Sequence, residues 1–198
     1  MNRRWSLAIA ALGTFLLSSC TDSSPTGEPP GPSTTSGTPT LAVSPPPAPP
    51  QHNLGRQEVK ADPCVKIDDA TISRAGFDPA TRKRHDMIYD TYAFIGCGFD
   101  DKKQIDGQSV TARSLTVWST NITLDEFRSR EANSATEVKI GNNTALEYEK
   151  PNEGACYVAT RDSDGVLNIR IGTNLPFTIE QPCDRMIEVA EMVSSAMQ

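Results

Sequence analysis

Histidine is almost missing from this chain: 198 residues contain two, His52 and His85. A Ser-His-Asp mechanism would have to run through His85, because His52 falls in a stretch with too few apolar residues to fold. No cysteine stands in a CxxC pair or beside a histidine, so neither a zinc site nor a thioredoxin-like redox motif is expected. No other catalytic or cofactor motif is present, and no internal repeat of fixed period. Nor is there a hydrophobic run long enough to cross a bilayer as a helix: the main apolar stretch, Leu7 to Leu17, is too short. Basic residues are outnumbered, with 19 Lys and Arg against 25 Asp and Glu, a net charge of −6. An acidic chain has no electrostatic case for nucleic acid or for anionic headgroups.

The N-terminus carries a definite pattern. Arg3 and Arg4 precede the Leu7 to Leu17 run, and Leu17-Ser18-Ser19-Cys20 closes it. This is the order of a lipoprotein signal peptide. Residues 1–19 are expected to be cleaved, leaving Cys20 as an acylated N-terminus and the protein lipid-anchored on the extracytoplasmic face of the cell membrane. Two acyl chains suffice for stable anchoring. Of the five cysteines, an odd count, giving Cys20 to lipid leaves Cys64, Cys97, Cys156 and Cys183. In an oxidising compartment these four form two disulfides in one of three connectivities.

Residues 20–53 follow as a tether of Ser, Thr, Gly and Pro, ending in Pro45-Pro46-Pro47 and Pro49-Pro50. With few apolar residues it forms no core; the proline-rich end is expected as polyproline II and the rest as coil. Residues 54–198 are long enough for one domain with a sizeable core.

Within that domain Asp62 and Pro63 open a helix that carries Cys64, Ile67, Thr71 and Ile72 on one face and stops at Gly76. Thr123 and Glu126 form a capping box for a short helix. Pro182 opens the last helix, with Cys183, Met186, Ile187, Ala190, Val193 and Met197 in a stripe. Strand patterns occupy Tyr92–Phe99, Ser109–Trp118, the segment around Val138 and Ile140, Leu146–Tyr148, Cys156–Arg161 and Val166–Ile171. Asp164-Gly165 is a hairpin turn; Leu167, Ile169 and Ile171 face one way, Asn168 and Arg170 the other. The expected fold is α+β: an antiparallel sheet of about five to six strands covered by N- and C-terminal helices and stapled by disulfides. Because both terminal helices begin Pro-Cys and both other cysteines sit in strands, the expected pairs are Cys64–Cys183 and Cys97–Cys156. Gly96 and Gly98 leave room for close packing around Cys97.

Candidate sites are few. Arg82-Lys83-Arg84-His85-Asp86 reads as a solvated loop, or else as a rim for an anionic ligand. Asp68-Asp69 and Asp100-Asp101 lack calcium-loop spacing and read as surface charge. Asn121-Ile122-Thr123 and Asn142-Asn143-Thr144 match the glycosylation triplet by chance. Trp118, Phe127 and Tyr148 read as packing residues rather than a ligand cage, and an apolar pocket between sheet and helices stays open. No catalytic, metal or cofactor residues are assigned.

The lipobox and stalk, Asp62-Pro63-Cys64, Gly96-Cys97, Gly141 with Ala145, Ala155-Cys156-Tyr157-Val158, Val166-Leu167-Asn168-Ile169 and Pro182-Cys183 together resemble the actinobacterial DUF3558 lipoproteins, a family of unknown function. One departure is Cys97-Gly98-Phe99, where the family commonly has Cys-x-Trp. The resemblance implies an envelope lipoprotein and transfers no catalytic residue; similar envelope lipoproteins suggest a Mog1/PsbP-like sheet with flanking helices. The expected function is a non-enzymatic binding or accessory module, with an envelope protein, a glycan or an apolar molecule as partner. The alternatives are a hydrolase or transferase of envelope polymers using unidentified carboxylates, and a carrier of an apolar ligand.

Overall fold

Four helices and eight strands are built around one antiparallel sheet in the computed structural model, which describes residues 39–198. The leader (1–19), Cys20 and the tether up to Thr38 lie outside the described residues. No helix among the described residues is long and apolar enough to cross a membrane.

The chain enters through α1 (Pro63–Lys66) and α2 (Asp69–Ala75). Asp62 caps the first by accepting from the Cys64 N–H at 2.9 Å, and Gly76 ends the second at φ +88°. The single helix expected here is broken at Ile67, which is extended, because the Asp68 carboxylate takes the Thr71 N–H at 2.7 Å and starts a new helix. The Thr71 side chain, and then this amide bond, lower the Asp68 pKa.

The strands follow as β1 (Asp78–Arg84), β2 (Met87–Ile88), β3 (Ala93–Ile105) and β4 (Gln108–Thr120). After α3 (Leu124–Arg130) come β5 (Thr136–Ile140), β6 (Asn143–Lys150), β7 (Ala155–Arg161) and β8 (Val166–Thr173), and α4 (Met186–Met197) closes the chain. The sheet runs β1-β3-β4-β8-β7-β6-β5, with β2 also pairing to β3. Eight strands replace the expected five to six. The two additions, β1 and β2, lack the apolar alternation that marks the others; they pair along an edge through backbone bonds.

Alternation divides the side chains between two faces. Cys97, Phe99, Leu115, Val117, Cys156, Val158, Leu167, Ile169 and Ile171 form the main core with Ile67, Ile72, Met186, Val189 and Val193 of the helices. Burying a branched aliphatic or aromatic side chain stabilises by about 1.5–3 kcal/mol each, so this face carries most of the fold's stability. The opposite face carries a second, more aromatic cluster that includes Phe94, Trp118, Phe127, Tyr148 and Tyr157.

All four domain cysteines are bridged, but the pairs are Cys64–Cys97 and Cys156–Cys183, with Cα separations of 4.9 and 5.2 Å. The expected pairing is overturned by the strand order. Cys97 on β3 and Cys156 on β7 are three strand spacings apart, about 14 Å at 4.8 Å each, beyond the reach of one disulfide. Each terminal helical segment is stapled to the strand beneath it. The second bridge also moves the start of α4: residues 182–185 form a turn held at Cys183, and the helix begins at Met186 rather than Pro182.

Chain preceding Leu54 already lies on the domain. The Thr40 carbonyl accepts from the Asp69 N–H at 3.2 Å, and Gln51 exchanges bonds with Val59 at 2.9 and 3.0 Å. Asn53 is buried and accepts from Asn121 Nδ2 at 2.9 Å. Arg56 then grips Glu126 of α3 through two bonds of 3.0 and 2.5 Å. Glu126 also completes the capping box by accepting from the Thr123 N–H at 2.9 Å. The Arg56 bonds, then the Thr123 amide, hold the Glu126 carboxyl down at about 2 from the usual 4.5. Because the folded pKa is depressed, its contribution is present above pH 4.5 and is lost as pH falls toward 2. The side chain is one-third exposed, so solvent screening reduces this to about 1 kcal/mol. In urea titrations across pH 2–7, Glu126→Gln should be about 1 kcal/mol less stable than the parent at pH 7 and converge on it at pH 2.

Candidate functional site

Cross-strand register builds a groove on the sheet face away from α1, α2 and α4. Tyr148 lies opposite Tyr157, Tyr157 opposite Arg170, Arg170 opposite Thr116, Thr116 opposite Gly98, and Gly98 opposite Lys83. The next row runs Leu146, Ala159, Asn168, Trp118, Gly96. Gly96 and Gly98 carry no side chain on this face. A Cβ on Gly96 would stand 2.2 Å from Trp118 Cδ1, and one on Gly98 would stand 2.8 Å from His85 Cδ2. These glycines therefore let two rings approach β3 closely, and Gly96 also lets the sulfur of Cys64, bridged to Cys97, come within 3.6 Å of its carbonyl.

The resulting cavity has a volume of about 440 Å³ and is walled by Tyr92, Phe94, Trp118, Phe127, Tyr148 and Tyr157, with Met87 and Tyr89 exposed at the lip. Phe94 meets Tyr92, Trp118 and Phe127 edge to face at centroid distances of 6.0, 6.4 and 6.4 Å. Tyr148 and Tyr157 stack at 5.0 Å with their planes 6° apart. Two smaller cavities, about 220 and 190 Å³, adjoin it and share Arg170 with it. Such pairs are worth roughly 0.5–1.5 kcal/mol each beyond burial, so this wall is preformed.

Polar groups are distributed along the aromatic wall. The Tyr157 hydroxyl donates to Glu153 at 2.5 Å and accepts from Arg170 Nε at 3.1 Å; the Tyr148 hydroxyl donates to Asn168 Oδ1 at 3.2 Å. Burial, and then the bond to Glu153, push the Tyr157 phenol up to about 12; burial likewise raises Tyr148. Both remain protonated donors at neutral pH. Lys150 pairs with Glu131 at 3.5 Å and sits 5.2 Å from the Tyr157 ring centroid; Arg130 lies over Tyr92 at 5.1 Å. Among the described residues, neither Arg130 nor Arg170 has a carboxylate within ion-pair distance.

His85 stands at the junction of this cavity and the 220 Å³ one, edge-on to Trp118 at 6.3 Å, while its backbone carbonyl accepts from the Trp118 indole at 2.6 Å. Desolvation, then Lys83 and Arg170, lower its pKa, so the ring is neutral at pH 7. Ser114 and Asp100 line the smaller cavity with it. Their side chains are committed elsewhere: Ser114 accepts from Arg170 Nη1 at 3.2 Å, and Asp100 pairs with Lys83 at 3.3 Å. The His85 side chain makes no hydrogen bond to either.

The segment around His85 is not the solvated loop expected. It is mostly strand β1, and its side chains hold the domain together. Arg84 bonds Asp62 at 2.7 Å and Asp86 at 2.7 and 2.8 Å; Asp86 in turn accepts the Gly96 N–H at 2.9 Å. Arg82 is buried against Asp69. The two acidic pairs are likewise structural rather than free surface charge: Asp68 caps α2, Asp69 meets Arg82, Asp100 meets Lys83, and Asp101 meets Arg113 at 3.0 Å. Asn121 is buried, bonded to Asn53, to the Gln57 carbonyl at 2.8 Å and to the Ala93 N–H at 3.2 Å, so it is no glycan acceptor. Glu147, Cys156 and Cys183 come within metal-ligand spacing of one another, but both sulfurs are in a disulfide and offer no thiolate. His52 is exposed in the strap before Leu54, remote in sequence from every groove residue.

Trp118, Phe127 and Tyr148 do pack, as expected, and the same packing makes them groove wall. The pocket is on the far side of the sheet from the terminal helices, bordered by α3 instead. Nothing in the sequence pattern marks Arg130, Lys150, Tyr157 and Arg170 as one site. The available signal was the polar side of the Asn168/Arg170 alternation, which requires the strand order to acquire neighbours.

Residues 15–195 match the family model DUF3558, described as a protein of unknown function. No curated protein and no solved structure matches the chain.

Proposed function

From the premise that the chain belongs to the DUF3558 family, we propose that it is a non-enzymatic binding module of the cell envelope whose ligand site is the aromatic groove. The observation that carries this reading is the groove itself: a preformed cavity of about 440 Å³ with aromatic walls and a few convergent polar groups, the usual make-up of a small-ligand site. A binding rather than hydrolytic role is supported by the engagement of its polar groups. Glu153 accepts from the Tyr157 hydroxyl, Glu131 faces Lys150, and the His85 side chain is bonded to neither serine nor carboxylate. In this reading Cys20 is acylated and holds the domain outside the cytosol, where the four remaining cysteines pair. A Mog1/PsbP-like relationship belongs to the same reading, supported by one antiparallel sheet with helices packed on it.

The test is nuclear magnetic resonance of isotopically labelled protein titrated with soluble glycan and small-molecule extracts of envelope material. Shift changes should concentrate at the Trp118 indole, Tyr157 and the Phe127 to Glu131 segment. Changes confined to α4 and the β5–β6 turn, or none at any extract concentration, would reject the groove as the site.

A further inference from the structure

Resting on that reading of the groove, we infer that its ligand is an acidic saccharide, with the acid group seated on Arg170 and the sugar rings against the aromatic wall. The first observation is the composition of the wall. It has seven Phe, Tyr and Trp side chains, His85 and charged or amide groups, with Met87 at the lip as its one aliphatic side chain and no Leu, Ile or Val. A cavity for acyl chains is lined with aliphatic groups. A sugar instead presents apolar C–H faces edged by hydroxyls, and needs aromatic faces with donors and acceptors between them. The Asn168 amide nitrogen, the Tyr148 hydroxyl oxygen as acceptor, and Lys150, whose ammonium has one contact to Glu131, supply those.

The second observation is charge. The chain is acidic, yet the groove and its 220 Å³ neighbour bring together four cations, Lys83, Arg130, Lys150 and Arg170, against three carboxylates, Asp100, Glu131 and Glu153. Asp100 is matched to Lys83, Glu131 to Lys150, and Glu153 accepts from Tyr157. Arg170 is left central and without an ion-pair partner among the described residues. Its guanidinium is held in place: Nε donates to the Tyr157 hydroxyl and Nη1 to Ser114, while Nη2 has no hydrogen-bond partner among the described residues. It also borders all three cavities. A planar guanidinium oriented by neutral oxygens, with donors to spare, is suited to a carboxylate or a phosphate.

Trp118 reports on the site. The chain has two tryptophans, Trp5 and Trp118, and the cleavage before Cys20 in this reading removes Trp5 and leaves the groove indole alone. The processed protein, residues 20–198, is titrated, following Trp118 emission, with trigalacturonate, with its neutral methyl ester, with glucose 6-phosphate and with inorganic phosphate. The expected result is binding of trigalacturonate or of glucose 6-phosphate at least tenfold tighter than the methyl ester; the acid that binds identifies the anion as carboxylate or phosphate. Arg170→Gln should abolish that preference, and Lys102→Gln, an exposed cation elsewhere, should leave it unchanged. Equal binding of acid and ester overturns the assignment to Arg170 yet leaves the groove as a saccharide site. An acid preference that survives Arg170→Gln overturns it also. Inorganic phosphate binding as well as glucose 6-phosphate overturns the saccharide. Silence of Trp118 to every probe overturns the ligand class, while the extract titration decides separately whether the groove binds anything. The acid–ester comparison uses no groove variant, so misfolding of Arg170→Gln does not blunt it.

Discussion

Removing the Cys64–Cys97 bridge with Cys64→Ala/Cys97→Ala is expected to cost about 4 kcal/mol, the larger of the two disulfide effects. The cysteines are 33 residues apart, for which chain entropy assigns about 3.7 kcal/mol. The Cys156–Cys183 pair, 27 apart, is assigned about 3.6 kcal/mol on the same scale. What separates the two is burial. Cys64 and Cys97 are both fully buried in the main core, so trimming them to alanine also removes two sulfurs from close packing. Cys183 is partly exposed and can relax into water, which places the second double variant nearer 3 kcal/mol. Urea unfolding of the two double variants checks the order, and reductant added to the parent, which breaks both bridges but keeps the sulfurs, should cost less than their sum. Peptide mapping without reduction should recover linked fragments containing Cys64 with Cys97 and Cys156 with Cys183. A fragment joining Cys64 to Cys183 would mean that the terminal helices are stapled to each other, and the strand order would have to change.

The contrast between what was legible in the chain and what was not follows from the range of each signal. Caps are local, so Asp62-Pro63, Gly76 and the Thr123/Glu126 box could be read directly, and the six alternating strands with them. Strand β1 could not, because an edge strand whose residues are Asp, Pro, Ala, Thr, Arg, Lys and Arg has no apolar alternation to show. The disulfide pairing depends on which strand lies beneath which helix, and sequence spacing holds no information on that. The groove shows the same division. The alternation on β8 correctly sends Asn168 and Arg170 to the face away from Leu167, Ile169 and Ile171. Only the order β4-β8-β7-β6 puts Thr116, Tyr157 and Tyr148 beside Arg170 and turns a polar strand face into a site.

Arg82→Ala should be the most damaging single charge removal in the domain, at about 3–5 kcal/mol. Its side chain is fully buried, lies over the Phe99 ring at 4.9 Å, and donates to the Cys64 carbonyl at 2.9 Å and to Asp69 Oδ1 at 2.7 Å. One guanidinium thus ties edge strand β1 to the first turn of α1 and the start of α2. Truncation leaves a cavity over Phe99, a helix carbonyl without its donor and a carboxylate without its cation. Arg82→Met restores the volume but neither bond, and should still lose about 2–3 kcal/mol. Replacing both partners removes the stranded charge as well. Arg82→Met/Asp69→Ala should therefore lose less than the two single changes added together, with a coupling of about 1–2 kcal/mol in a double-mutant cycle. Asp69 is partly exposed and also accepts the Ala42 N–H, so Asp69→Ala alone is the milder single variant. Urea unfolding of the four chains completes the cycle. A cost below 0.5 kcal/mol for Arg82→Met, the ordinary range for an exposed residue, would return this segment to a solvated loop and detach β1 from the helices. A full cost with no coupling would assign the effect to packing on Phe99 rather than to the ion pair.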